Sequence, residues 1–227
     1  MPHILIVLTS QARMGDTARR TGLWIEEFTA PYYAFREAGV ELTLASPLGG
    51  PVPTDPTGDA LTPAPPSVAR FRHDPEAQAG LSATLPLAGI DPGDFDAIFY
   101  PGGLGPMWDL AADPHSTALV EHAVATAMPL AMVCHGQGAL VNARGDNGAP
   151  LIAGRTLTAF SRAEDEAAGL VDLTPFVLED RLRALGADYR AGSPDQPFIV
   201  EDANLLTGQN PASALPLALA LLKRLAA

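Results

Sequence analysis

Short, uninterrupted apolar runs alternate with helix-periodic stretches along most of this chain. Ile4–Leu8 is an apolar run of strand length, and the spacing of apolar positions over Gly22–Ala38, stopped by Gly39, predicts a helix. Val40–Ala45 and Ala97–Tyr100 read as the second and third strands, the latter led in by Asp94-Phe95-Asp96. Asp113-Pro114 is an N-cap acid followed by a proline suited to a first helical position, and it opens a helix over Thr117–Ala127. Leu130–Val133 is the next strand, and another helix begins at Gly136–Ala143. Beyond Gly154 the pattern continues with a strand at Arg155–Phe160, a helix at Pro175–Leu185, and short strands near Phe198–Val200 and Leu205–Thr207. Asn210-Pro211 then starts a final helix in the apolar stretch Ala212–Ala227. This alternation predicts an α/β fold, a doubly wound and mostly parallel sheet with helices on both faces.

One segment breaks the rhythm. Pro47–Pro92 is crowded with Pro and Gly, centred on Pro63-Ala64-Pro65-Pro66, and carries little helical periodicity. Long irregular stretches in compact domains are usually flaps, dimer arms or insertions. The expectation is a single domain over 1–227 with an irregular insertion or flap at about 47–92.

Composition narrows the class. Of the 227 residues 47% are hydrophobic and 18% charged, which suits a folded globular protein with a sizeable core. A formal net charge of −12 repels nucleic acid and anionic membranes, so neither is expected as a partner. The apolar N-terminal run is too short for a signal core or a membrane span, and a single cysteine cannot form an internal disulfide. A cytoplasmic location is expected.

That cysteine carries the chemistry. Cys134 ends the strand Leu130–Val133 and is followed at once by His135-Gly136-Gln137-Gly138, a strand-to-helix elbow of the kind on which α/β enzymes expose a nucleophile. The glycines permit a tight turn, and the unpaired N–H groups of a new helix favour thiolate over thiol. A lone buried cysteine is more often inert packing, so the neighbours decide. His135 is adjacent and is a candidate base. The loop Pro101-Gly102-Gly103-Leu104-Gly105-Pro106 follows the third strand at the same sheet edge. Its backbone N–H groups can serve a developing oxyanion, although such glycines also occur simply as tight turns. His3, His73, His115 and His122 have no partner at metal-ligand spacing, so no metal site is expected. Two acidic clusters, Glu26-Glu27 and Glu164-Asp165-Glu166, lie on elements that follow strands and so can reach this edge.

These residues resemble a family. Thr21-Gly22-Leu23-Trp24-Ile25-Glu26-Glu27 with Pro31, Ala45-Ser46-Pro47-Leu48-Gly49-Gly50, Tyr100-Pro101-Gly102-Gly103 and Gly105-Pro106-Met107-Trp108-Asp109-Leu110 carry the resemblance in the first half. Val133-Cys134-His135-Gly136, Thr158-Ala159-Phe160-Ser161, Glu164-Asp165, Pro175-Phe176 with Leu178-Glu179-Asp180, and Leu206-Thr207-Gly208-Gln209-Asn210-Pro211 carry it in the second. The chain resembles the PfpI-type branch of the class I glutamine amidotransferase-like superfamily. Within that branch it is similar to the cofactor-independent glyoxalase III proteins, also described as chaperones and deglycases.

The resemblance implies a flavodoxin-like fold, Cys134 as nucleophile, His135 as its partner, and Asp165 as the acid orienting the histidine, with Glu164 a close competitor. It places the carboxylate that meets the cysteine at Glu27, four residues before Pro31, and the oxyanion and substrate-binding site at Gly102, Gly103 and the His135 N–H. The implied reaction converts a small 2-oxoaldehyde such as methylglyoxal to a 2-hydroxy acid without metal, nucleotide or glutathione, in a homodimer. The chain departs from the family pattern at Ala30, Leu104 and Gln137, where relatives often have histidine, histidine and proline. Two other readings stand beside this one: a cysteine hydrolase using the same Cys-His-acid set, and a holding chaperone or oxidation sensor acting through Cys134. Glutamine amidotransfer is disfavoured because its downstream His-x-Glu spacing is absent.

Overall fold

Ile4, Leu5, Ile6 and Val7 are all buried, and they divide between two apolar clusters: Ile4 and Ile6 face one side, Leu5 and Val7 the other. A strand buried on both faces belongs at the centre of a parallel sheet. A computed structural model, describing residues 1–226, places it there. The chain runs β1 (His3–Val7), α1 (Ile25–Glu37), β2 (Glu41–Ser46), α2 (Pro56–Asp59), α3 (Pro66–Phe71), α4 (Pro75–Ser82), β3 (Leu85–Pro86) and β4 (Ala97–Tyr100). It continues with α5 (Pro114–Ala125), β5 (Leu130–Val133), a 3₁₀ helix (Cys134–Leu140), β6 (Thr156–Leu157), α6 (Arg162–Ala167) and α7 (Leu178–Ala184). Last come β7 (Asp188–Tyr189), β8 (Ile199–Asp202), β9 (Leu205–Gly208) and α8 (Ala214–Leu225).

Seven strands form one sheet in the order β3-β2-β1-β4-β5-β9-β8, parallel throughout except for the edge strand β8. This is the doubly wound, flavodoxin-like α/β architecture expected from the alternation of strands and helices. Phe28, Phe35, Leu217 and Leu221 of α1 and α8 close one face over Ile4, Ile6, Phe99 and Val133. Leu119, Val120, Leu140, Leu178 and Leu182 close the other over Leu5, Val7, Ile98 and Met132. The chain leaves β1 toward β2 on one side and β4 toward β5 on the other, so the crevice between β1 and β4 is the topological switch point where ligands of such sheets bind. No helix among the described residues is long and apolar enough to cross a membrane.

Four local expectations are corrected. The segment 47–92 is not irregular: it holds α2, α3, α4 and the edge strand β3. Each of those helices has proline in its first turn, and Asp55 and Asp74 cap α2 and α4 by accepting from Thr57 and Ala77 N–H groups. Proline there starts helices rather than breaking them. Second, α1 begins at Ile25 and not at Gly22, because Leu23 is held in a parallel bridge with Thr54. Third, the strand expected over Arg155–Phe160 shrinks to Thr156–Leu157 in a separate two-stranded sheet with β7, itself unanticipated. Its continuation is engaged elsewhere: the Thr158 N–H donates to Thr207 Oγ1 and the Phe160 N–H to the Cys134 carbonyl. Fourth, the helix after Cys134 is 3₁₀, from Cys134 to Leu140. The final helix begins at Ala214 after a 3₁₀ turn (Pro211–Ser213), and Ala227 lies outside the described residues.

Gln137, fully buried, fastens three segments beneath the elbow. Its amide nitrogen lies 3.1 Å from the Met132 carbonyl, 2.9 Å from that of Thr158 and 2.9 Å from that of Gly208. The ends of β5 and β9 and the strap after β6 therefore share one donor group. Gln137→Ala leaves those carbonyls short of partners and is expected to cost about 2 to 4 kcal/mol in urea unfolding. A loss below about 1 kcal/mol would show that the clip is dispensable.

Candidate active site

The chain turns sharply where β5 ends. Cys134 has a φ of +61°, in the left-handed region that side-chain-bearing residues rarely occupy, at a cost of order 1 to 3 kcal/mol. The turn sets the cysteine among the residues on the α1 side of the sheet. The residue is 4% exposed, and its Sγ lies 3.3 Å from His135 Nδ1. His135 Nε2 lies 3.1 Å from Asp165 Oδ1, at the start of α6. The carboxylate accepts the Nε2 proton, which leaves Nδ1 bare and facing the sulfur. The Phe160 ring packs on the imidazole with centroids 4.6 Å apart. Cys134 and His135, adjacent in sequence, thus face each other because a positive-φ elbow and a ring wall orient them together.

Glu27 arrives from the first turns of α1 and is fully buried. Its Oε2 accepts the Gly102 N–H at 2.7 Å, while Oε1 has no hydrogen-bond partner among the described residues. Pro31 has no N–H to return to the Glu27 carbonyl, so α1 lacks a backbone bond at the turn that carries the acid. Burial pushes the Glu27 carboxyl up to about 8, outweighing the hydrogen bonds with Cys134 and Gly102 that pull it down. It therefore holds its proton at neutral pH. Glu26, half-buried beside it, is also raised by burial.

The thiol differs from expectation. Burial and the neighbouring Glu27 push Cys134 well above the ordinary thiol value, although the N–H groups of Gly103 and His135 act on it in the opposite sense. A short 3₁₀ turn in a dry site does not generate a resting thiolate. With both groups pushed up, a thiol beside a carboxylic acid is the favoured pair, and His135 Nδ1 lies against the sulfur.

The glycine loop is shaped by close approach. A Cβ at Gly102 would sit 2.7 Å from both Glu27 Oε2 and the Val133 carbonyl, and 2.8 Å from the His135 nitrogen. Gly103, at φ +87°, would meet the Gly22 carbonyl at 2.3 Å. The two glycines do not share one role. The Gly102 N–H is taken by Glu27, so the donors facing the sulfur are those of Gly103 and His135. Glu164 is likewise not at the histidine: its carboxylate turns away to cap α6 through Ser161. Cys134, His135, Asp165 and Glu27 come together. In the sequence Phe160, Gln209 and Asn210 stand out only as parts of motifs. No spacing in the sequence signals that Phe160 would wall the imidazole.

The DJ-1/PfpI family profile matches residues 25–224. The chain belongs to the DJ-1/PfpI family. The glyoxalase 3 of Candida albicans is 26% identical over 230 residues, covering 95% of this chain and 94% of that protein. The crystal structure of glyoxalase III from the same yeast superposes with a TM-score of 0.87 at 25% identity, covering 98% of this chain and 96% of that one. Rapid Encystment Protein 24 kDa of Francisella tularensis gives a TM-score of 0.94 at 33% identity, with 99% of each chain covered. A bovine glutamine amidotransferase-like class 1 domain-containing protein 1 is 31% identical over 131 residues, 57% of this chain and 59% of that protein. The match thus spans less than two thirds of the bovine relative's length, whereas it runs nearly end to end in the Candida albicans glyoxalase 3.

Within this DJ-1/PfpI site, alkylation of Cys134 by iodoacetamide is expected to rise only above about pH 9, the ordinary thiol value. Glu27→Gln removes the negative neighbour and should shift the labelling midpoint downward; an unchanged midpoint would contradict the coupling. Stability carries the same signature. Glu27 binds a proton up to about pH 8 in the folded protein and up to about 4.5 in the unfolded chain. Its contribution is fully present below 4.5 and drains away as pH rises to 8. The melting temperature of the native protein, relative to that of Glu27→Gln, should therefore fall between pH 5 and pH 8, as calorimetry would register.

Proposed function

We propose that this protein is a glutathione-independent glyoxalase that converts a 2-oxoaldehyde such as methylglyoxal to a 2-hydroxy acid through a Cys134 hemithioacetal. The carrying observation is the buried Glu27 carboxyl, held protonated against the Cys134–His135–Asp165 set. A thiol that only had to be acylated needs a base. A reaction that moves hydrogen between adjacent carbons needs a second group able to give and take protons beside the sulfur.

The steps balance as follows. The Cys134 sulfur bonds to the aldehyde carbon while its proton passes to His135 Nδ1, and Glu27 protonates the aldehyde oxygen. Glu27, now a carboxylate, removes the hydrogen from that carbon, and the imidazolium protonates the neighbouring ketone oxygen, giving an enediol. Glu27 returns its proton to the second carbon as the first hydroxyl gives its proton to His135, forming a thioester. Water, deprotonated by Glu27, attacks the thioester; the 2-hydroxy acid leaves and His135 reprotonates the thiolate. Asp165 steadies the imidazolium at each stage, and the N–H groups of Gly103 and His135 serve the oxyanion of the thioester step.

The nearly full-length similarity to proteins named glyoxalases supports this reading. The hydrolase reading uses the same cysteine and histidine but gives a protonated Glu27 no task. Lactate formation from methylglyoxal is the test. Cys134→Ala and Glu27→Gln should abolish it, and Asp165→Asn should lower kcat by about 100-fold or more. Undiminished turnover in either of the first two would overturn the assignment.

A further inference from the structure

Asp165 is positioned by little of its own. Oδ1 meets His135 Nε2, and the buried Oδ2 has no hydrogen-bond partner among the described residues. A carboxylate with one side-chain contact takes its place from the backbone that carries it. That backbone is the first turn of α6, only six residues long, too short to be stable by its own helical bonds.

The preceding residue supplies what α6 lacks. Glu164 is buried, and both of its oxygens accept hydrogen bonds. Its Oε2 accepts the Ser161 N–H at 3.0 Å, the Ser161 hydroxyl at 2.6 Å and the Gln209 amide at 2.9 Å. Oε1 accepts the Asn210 amide at 2.8 Å and the Asp195 N–H at 3.1 Å. Burial raises this carboxyl, but the donors from Ser161, Asn210 and Asp195 bring it below its usual value. The partners are themselves fixed: Gln209 Oε1 accepts the Gly192 N–H at 2.7 Å, and the Asn210 amide also reaches the Gln196 carbonyl at 2.9 Å. Gln209 and Asn210 directly follow β9, so Glu164 ties α6 to a strand end of the main sheet and to the loop 192–196. Consecutive residues on a helix point about 100° apart. One carboxylate faces the frame while the other faces His135.

We propose that Glu164, Gln209 and Asn210 form a positioning clip that sets where Asp165 stands against His135, and so which ring nitrogen of His135 is free to take the thiol proton. Glu164 does not touch the reacting atoms; it acts through Asp165. The clip rests on the glyoxalase reading only for its consequence in turnover.

Nitrogen NMR of the His135 ring separates the two, because the tautomer is read without substrate. In the native protein the Nε2–H form should dominate. Glu164→Gln sets an amide NH₂ against the amide donors of Gln209 and Asn210, and no flip of the new side chain satisfies both. It is expected to bring in the Nδ1–H tautomer and to lower kcat for methylglyoxal by about 10- to 100-fold with KM little changed. The exchange Glu164→Gln with Gln209→Glu restores a donor–acceptor pair and should recover part of both. A native tautomer and native kcat in Glu164→Gln, with Asp165→Asn altering both, would overturn the clip. If Glu164→Gln does not fold, Asn210→Ala removes one donor, leaves the capping box and faces the same criterion. Absence of lactate formation in the native protein would sink the glyoxalase reading while the tautomer populations still decide the clip.

Discussion

A carboxyl group buried without a cation, with a backbone N–H on one oxygen and a thiol as its other neighbour, has to keep its proton. Glu27 is in that position. No ion pair among the described residues includes it, and desolvation outweighs the donors it does have. Much of the site follows from this constraint. A protonated Glu27 can lie against a cysteine without repelling it, and Glu27 together with burial pushes the Cys134 thiol up, while the bond to Cys134 only partly offsets the burial that raises Glu27. The cost of burying both groups is offset in part by the backbone N–H groups of Gly102, Gly103 and His135 that face them.

The sheet makes the encounter possible. α1 returns from β1 on the face where Cys134 emerges, and the loop after β4 passes between them at Gly102. A side chain larger than hydrogen at Gly102 would occupy the space of the Glu27 carboxylate and the His135 nitrogen. The relay on the other side of the sulfur depends on a different assembly. His135 gains its orientation from Asp165 and Phe160, which reach it from the strap and helix that follow β6. Gln137 and Glu164 fasten that strap and helix to the ends of β5 and β9. Cys134 and His135 belong to the doubly wound core; Asp165 belongs to a peripheral segment tied to it by buried amides.

Some elements were legible because their signals are local. β4 and β5 coincide with their apolar runs, and α5 begins at the Asp113-Pro114 signal, with Asp113 accepting from the N–H groups of His115 and Ser116. The same signal was present at Asp55-Pro56 and Asp74-Pro75, yet the density of proline around them reads as irregularity. Composition averaged over a long window hides helices of four to eight residues, whereas the cap-and-proline pair marks α2 and α4 individually; α3 starts on prolines without a side-chain cap. The strand overextended at Arg155–Phe160 failed for the opposite reason. Its backbone groups are claimed by Thr207, Gln137 and the elbow, partners far away in sequence that no local pattern announces.

The sequence by itself determined the layered α/β class, the elbow at Cys134 and the short list of acids able to serve it, because period, caps and elbows are properties of neighbouring residues. The family resemblance singled out Glu27 and favoured Asp165 over Glu164, but only the tertiary structure supplied the physical reason for which acid faces which atom. Glu27 and Glu26 are adjacent, as are Asp165 and Glu164, and composition cannot separate either pair. Helical geometry sends consecutive side chains in different directions, so one member of each pair meets the site and the other does not. The protonation of the site was likewise a tertiary matter. A new helix beside a cysteine suggests a thiolate, but burial and a carboxyl brought from the far end of the sequence reverse that preference. Desolvation is set by everything that packs around a group, and only the fold assembles it.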